Sequence, residues 1–107
     1  MGRIILRELI GGIGQFGVED VAYVPGEMDL GEVTPETSVI IRTYDPQDPS
    51  KRPEGGKYFL EVSVMREVIE GLETQLNRSA TIEESVKAIR HYAIYDAYID
   101  PEQLKWP

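Results

Sequence analysis

The chain contains no cysteine among its 107 residues. Disulfides, thiolate metal sites and cysteine nucleophiles are therefore excluded. Because small secreted domains usually rely on disulfides, this absence predicts a cytoplasmic protein. Long apolar runs are also missing: the run Ile4–Leu6 is ended by Arg7 and Glu8, which leaves it too short for a signal peptide or a membrane span. We expect one domain over residues 1–107, with no membrane contact.

Basic residues are absent from a long interval near the N-terminus. Neither lysine nor arginine occurs between Arg7 and Arg42, and the whole chain has a formal net charge of −8. The acids of this interval are Glu8, Glu19, Asp20, Glu27, Asp29, Glu32 and Glu36. A field of this sign repels nucleic acid and attracts a basic protein surface, although acidic surfaces also serve solubility. We predict a protein partner, no nucleic acid, and a contact that includes Glu27, Asp29 and Glu32.

Histidine occurs once, at His91. A metal site on a helix would need ligands three or four residues away, and those positions hold no acid or histidine. The four residues are Lys87, Ala88, Ile94 and Tyr95. We therefore predict no catalytic residue, no cofactor and no metal. The alternative from another functional class is a small enzyme with a site around His91, Tyr92 and Asp96.

The segment Gly12–Gly17 matches the pattern G-x-G-x-x-G. This pattern holds a pyrophosphate only where a strand precedes it and a helix follows. Here the residues that follow, up to Pro25, are typical of a strand. A plain helix-to-strand loop is the expected structure.

The apolar pattern predicts an α+β domain: an N-terminal helix, a three-stranded antiparallel sheet and two C-terminal helices packed on one face. The first helix covers Arg3–Ile13, although Ile4–Leu6 could instead be a strand. Strands are predicted at Glu19–Pro25, Ser38–Tyr44 and Tyr58–Val62. Short turns favour an antiparallel meander of these strands.

The remaining elements follow from turn and capping residues. Three prolines and two glycines in Asp45–Lys57 predict a loop. Ser63 can cap a helix over Val64–Asn77, with Leu72 on its inward stripe. Thr81 with Glu84 forms a capping box that opens a last helix through about Tyr95, with Ile89 facing inward.

Three tyrosines, Tyr92, Tyr95 and Tyr98, recur at a spacing of three residues, with Asp96 among them. Their rings could cover the sheet and leave the hydroxyls at the rim. Alternatively they form an aromatic contact surface beside an acid, a composition that protein interfaces favour. We predict that Tyr92, Tyr95, Asp96 and Tyr98 belong to the partner-binding surface.

The order of several short stretches resembles a family of small bacterial proteins of the immunity type, which are associated with polymorphic toxins. The stretches are Val21–Pro25, Val39–Ile41 followed by Asp45, Tyr58–Leu60, Ala80–Glu84, Ala88, Tyr92 and Tyr95–Ile99. The resemblance implies a protein that binds and neutralises a cognate toxin, and it assigns no catalytic residue. The acidic field favours a toxin domain of basic charge. Lys51, Arg52 and Lys57 depart from the acidic loop expected between the second and third strands, which affects any shared binding surface. A structural or adaptor protein that forms a homodimer is the third alternative.

Overall fold

Four antiparallel strands form the sheet in a computed structural model, which describes residues 3–43, 53 and 55–104. The strands are β1 (Arg3–Ile5), β2 (Asp20–Pro25), β3 (Ser38–Thr43) and β4 (Gly56–Glu61), in the order β1-β3-β2-β4. Three α-helices accompany them: α1 (Leu6–Gly11), α2 (Val62–Leu76) and α3 (Ile82–Tyr95). The predicted α+β class and antiparallel sheet are confirmed.

The N-terminal segment corrects the prediction of a helix over Arg3–Ile13 and of three strands. Residues Arg3–Ile5 pair with β3, where Ile4 lies opposite Val39, and only then does α1 begin. The first residues of the continuous apolar run form the strand. Leu6, Leu9 and Ile10, which recur at helical spacing, are the three buried residues of α1. Both local signals were present, and the change from strand to helix falls between Ile5 and Leu6.

The predicted meander is wrong, because β4 pairs with β2 rather than with β3. The central position of β2 is matched by its burial: Val21, Ala22, Tyr23 and Val24 are all buried. Burial of consecutive residues on both faces is typical of a central strand. The chain between β3 and β4 is long enough to pass β2, so neighbours in sequence need not be neighbours in the sheet.

A β-bulge lies where β2 meets β4. Ala22 pairs with Leu60 and Tyr23 pairs with Tyr58, which leaves Phe59 as the extra residue. As a result both Phe59 and Leu60 are buried, although they are consecutive in a strand. A bulge breaks the alternation of faces at one position, so strict two-residue periodicity fails there.

Strand β4 runs directly into α2, and this corrects the predicted cap at Ser63. The residue before the helix is Glu61, whose side chain makes no capping hydrogen bond. The helix ends at Asn77, which adopts the left-handed conformation with φ of 59°. The predicted capping box of α3 is confirmed: Thr81 Oγ1 accepts from the Glu84 N–H, and the Glu84 carboxylate accepts from the Thr81 N–H.

The helices share one core with one face of the sheet. Helix α2 lies against β2 and β4, while α3 packs against α2, α1 and a 3-10 turn at Leu30–Glu32. Buried residues of this core include Leu6, Ala22, Val39, Phe59, Met65, Leu72 and Ile89. Tyr44, most of the predicted loop Asp45–Lys57 and the final Lys105–Pro107 lie outside the described residues. Among the described helices, none is long and apolar enough to cross a membrane.

Candidate protein-contact surface

Helix α3 ends in a group of exposed apolar side chains. Asp96 adopts the left-handed conformation with φ of 55°, and its N–H donates to the Tyr92 carbonyl oxygen at 2.8 Å. The chain therefore turns sharply after Tyr95. The exposed fractions are 42% for Ile94, 66% for Tyr95 and 55% for Tyr98. We refer to Ile94, Tyr95 and Tyr98 as the α3 tip.

Ring contacts fix the two tyrosines of the α3 tip. The centroids of Tyr92 and Tyr98 are 5.5 Å apart with the rings steeply inclined, and the rings of His91 and Tyr95 are 4.7 Å apart. Tyr98 Cε1 also lies 3.7 Å from the point where a Cβ on Gly71 would be, so its ring covers α2 there. Each of the two exposed rings thus packs against the protein on one side. This packing already restricts the side chain, so less conformational entropy is lost when a partner covers the other side of the ring.

Tyr92 lies on the inner side of this cluster and is packed against the core. Partial burial raises the pKa of its hydroxyl, and the charge of Asp96 raises it further. The prediction that the cluster covers the core holds for Tyr92, while Tyr95 and Tyr98 face solvent.

A second exposed tyrosine region adjoins Tyr92. Tyr58 on β4 is 48% exposed, and its ring lies 6.5 Å from that of Tyr23. Burial and then the charge of Glu61 raise the pKa of Tyr58, and the hydroxyl of Tyr92 adds to this effect. Tyr58 is thus a second exposed aromatic side chain, on the edge strand β4, with its ring packed edge-on against that of Tyr23.

The three predicted acids Glu27, Asp29 and Glu32 lie on the connection between β2 and β3, and all three are exposed. Asp29 and Glu32 form a capping box around the 3-10 turn: Asp29 Oδ1 accepts from the Gly31 N–H, and Glu32 Oε1 accepts from the Asp29 N–H. Part of their role is thus local structure.

This acidic connection is joined to α3. The Arg90 guanidinium donates to the Val33 carbonyl oxygen at 2.7 Å, one residue beyond the turn that holds the acids. Lys57 Nζ donates to the Met28 carbonyl oxygen at 2.6 Å at the other side of the turn. The structure therefore attaches the acids to the helix that ends in the α3 tip, with Arg90 one turn before Ile94.

Two residues of the alternative enzyme site, His91 and Tyr92, contact neighbouring aromatic rings. The His91 ring lies against that of Tyr95 at a tilt of 45°, and Tyr92 is turned towards Asp96 and Tyr98. A cavity of about 420 Å³ lies elsewhere, between α1, α2 and α3. Among residues 3–43, 53 and 55–104, no group of three or more histidines and acids is placed to hold a metal ion.

The glycine-rich segment Gly12–Gly17 connects α1 to β2, as expected for a helix-to-strand loop. It contains a 3-10 turn at Ile13–Gln15, and no helix follows it. The carbonyl oxygens of Ile13 and Phe16 accept from one nitrogen of Arg66. The N–H groups of Gln15 and Phe16 donate to the carbonyl oxygens of Gly12 and Ile13, and the Gly17 N–H donates to the Asp20 carboxylate. These donors are therefore used within the protein and do not converge on a phosphate.

Two features were missed in the sequence. Ile94 is exposed, and its position immediately after Ala93, off the inward stripe of α3, was the available signal. The cavity is built from segments distant in sequence, such as Ile13 and Ile82, so no local pattern could indicate it.

Comparison with protein-family models, with curated proteins and with solved structures finds no match for this chain. Its function is therefore inferred from the geometry and chemistry of its surface.

Proposed function

We propose that the chain is a protein-binding domain that contacts its partner through the α3 tip. The observation that supports this is the contrast within one helix. Val86 and Ile89 are almost fully buried, whereas Ile94 and Tyr95, little more than one turn further on, are exposed at 42% and 66%. Exposed aromatic side chains supported on one side are typical anchors of protein interfaces.

The charge around the α3 tip favours a basic partner. No lysine or arginine occurs between Arg90 and Lys105, and this interval holds Asp96, Asp100 and Glu102. The acidic connection with Glu27, Asp29 and Glu32 adds three more exposed carboxylates next to the same helix. Complementary charge at the rim of an interface accelerates association and orients the partner.

The more specific proposal is an immunity protein that binds and neutralises a cognate toxin. It follows from the resemblance in the order of the motifs, combined with the acidic surface and the α3 tip. The absence of cysteine fits action in the cytoplasm. The partner to examine first is the product of the adjacent gene, because a toxin and its immunity protein are then made together.

Binding kinetics with that gene product test the proposal. We expect Tyr95→Ala to raise the dissociation rate about 30-fold, the equivalent of about 2 kcal/mol for an interface anchor, with little change in the association rate. Val18→Ala is the control, since Val18 is an apolar residue of equal exposure, 67%, outside the α3 tip. Its dissociation rate should change less than about twofold.

Other outcomes would contradict separate parts of the proposal. Unchanged kinetics of Tyr95→Ala would remove the α3 tip from the interface. Absence of binding to the gene product would overturn the immunity function. If sedimentation shows that the chain alone forms a dimer that Tyr95→Ala dissociates, the α3 tip is a homodimer contact and the adaptor alternative is correct.

A further inference from the structure

A cavity of about 420 Å³ opens between the glycine-rich turn after α1 and the helices α2 and α3. Small-molecule sites in proteins generally span about 300 to 1,000 Å³. Most of its wall is aliphatic and comes from different segments: Ile10, Ile13, Ile69 and Ile82. An apolar ligand body would find contacts on several sides.

Arg66 holds one wall of this cavity in place. Its Nη2 donates to the carbonyl oxygens of Ile13 and Phe16 at 3.0 and 3.1 Å. These two bonds fasten the glycine-rich turn to α2, so that Gly14 becomes part of the lining. Nη2 is thus engaged with backbone oxygens, whereas the buried Nε has no hydrogen-bond partner among the described residues.

Two carboxylates lie on the same lining. Glu73 accepts from the Ala80 N–H at 2.9 Å, which fixes its carboxylate beside the cavity. Glu70, one turn earlier on α2, also lines the cavity and is exposed. Two negative charges against the one positive charge of Arg66 leave the lining with a net charge of −1.

We propose that this cavity binds a small organic cation, an ammonium group carried on an aliphatic body. The aliphatic body lies against the isoleucines, and the ammonium group lies at the opening beside Glu70 and Glu73. A neutral analogue keeps the apolar contacts and loses the charge attraction, while an anionic analogue meets repulsion. This site is independent of the α3 tip and does not rest on the proposed protein-binding function.

Three matched six-carbon probes test the site: hexylammonium, hexan-1-ol and hexanoate. Titration of each into the isotope-labelled chain is followed by NMR shifts of the Ile13, Ile69 and Ile82 methyl groups and the Ala80 amide. We expect saturable shifts, with hexylammonium binding about two- to fivefold tighter than hexan-1-ol, the gain of a solvent-exposed charge pair, and hexanoate binding weakest. Equal affinities for the three probes, tightest binding of hexanoate, or no shift at these groups would overturn the proposal.

Two pairs of variants locate the site. Glu70→Gln should abolish the preference for hexylammonium over hexan-1-ol, while Glu67→Gln on an exposed position of the same helix, outside the lining, should retain it. Gly14→Leu should weaken binding of all the probes, because Gly14 lines the cavity and open space surrounds its Cβ position.

Gly11→Leu is the control for Gly14→Leu, since Gly11 has the same open surroundings and does not line the cavity. Neither glycine has the left-handed φ that would strain a leucine there. Tight binding of hexylammonium to Gly14→Leu would place the site elsewhere and contradict the proposal. Tyr95→Ala should bind hexylammonium as the native chain does, so a failure here is distinguishable from a failure of the proposed function.

Discussion

The two ends of α3 are built in different ways. At its start, Thr81 and Glu84 form a capping box, and the Arg78 guanidinium meets the Glu84 carboxylate at 2.7 Å. At its end, the chain turns through Asp96, and Ile94, Tyr95 and Tyr98 are left exposed. The start thus satisfies its own polar groups and supports the fold, whereas the end presents apolar surface that the fold does not use.

The acidic connection between β2 and β3 shares features of both ends. Asp29 and Glu32 cap their own 3-10 turn, as Thr81 and Glu84 cap α3, yet both remain exposed as the α3 tip does. Substitutions there can therefore alter structure as well as binding. Variants that keep the capping acceptors, such as Asp29→Asn and Glu32→Gln, separate the two effects.

The largest expected difference is in stability between two isoleucines of α3. Ile89 is fully buried, so Ile89→Ala should cost about 2–5 kcal/mol of unfolding free energy through lost burial and a cavity. Ile94 is 42% exposed, and Ile94→Ala should cost less than about 1 kcal/mol. Urea midpoints of the two variants measure this. Shifts of equal size would mean that the end of α3 is part of the core.

Removing the cap of α3 should have the next largest effect. Thr81→Ala loses the acceptor for the Glu84 N–H, which should lower the unfolding free energy by about 1 kcal/mol. Thr81→Ser keeps an acceptor at this position and should change stability little. The same urea measurements apply, and a Ser variant as unstable as the Ala variant would show that the Thr81 methyl group, rather than the cap, matters.

The acidic rim should affect association more than dissociation. With the adjacent gene product as partner, Glu27→Gln, Asp29→Asn and Glu32→Gln together should slow association about two- to tenfold at low salt, and less at high salt. A triple substitution at the end of β4 and on α2, Glu61→Gln, Glu67→Gln and Glu70→Gln, removes the same charge elsewhere and serves as the control. Equal slowing by both would indicate that only net charge acts.

The smallest expected effect is a pH dependence at the start of α3. The hydrogen bond from Arg78, followed by that from the Thr81 N–H, lowers the pKa of Glu84 from 4.5 to about 2. Because the pKa is lower in the folded state, this stabilisation is present above pH 4.5 and is lost as pH falls towards 2. Glu84→Gln should therefore lose less stability than the native chain over this interval, as unfolding midpoints at each pH would show. Parallel losses in both would contradict this role.

The elements that sequence predicted correctly are those with a local cause. The capping box at Thr81 and Glu84, the helical spacing of Val86 and Ile89, and the β-branched run in β3 each act over a few residues. The fold class followed from these. The exposure of Tyr95 was one of two open alternatives, because helical spacing alone does not show which tyrosine the neighbouring helix covers.

The errors concern features that depend on distant residues. Strand β1 has three residues, and it forms because these residues pair with β3. The place of β4 beside β2 depends on the pairing of Val21–Pro25 with Gly56–Glu61, two segments that are distant in the sequence. The cavity likewise requires hydrogen bonds from Arg66 to Ile13 and Phe16, which lie 53 and 50 residues earlier in the sequence. The place of β4 and the cavity do not follow from short-range periodicity or turn chemistry, whereas β1 had a local signal in its apolar run and needed the pairing with β3 to decide between strand and helix.

NMR mapping of the bound surface shows most directly whether the α3 tip contacts the partner. The unlabelled product of the adjacent gene is titrated into the isotope-labelled chain, and amide and side-chain shifts are mapped by NMR. We expect the largest chemical-shift changes at Ile94, Tyr95 and Tyr98. Smaller changes are expected at Glu27, Asp29 and Glu32, and no change at the buried Ile89. Binding that leaves the signals of Tyr95 and Tyr98 unchanged, while those of another surface move, would contradict this expectation.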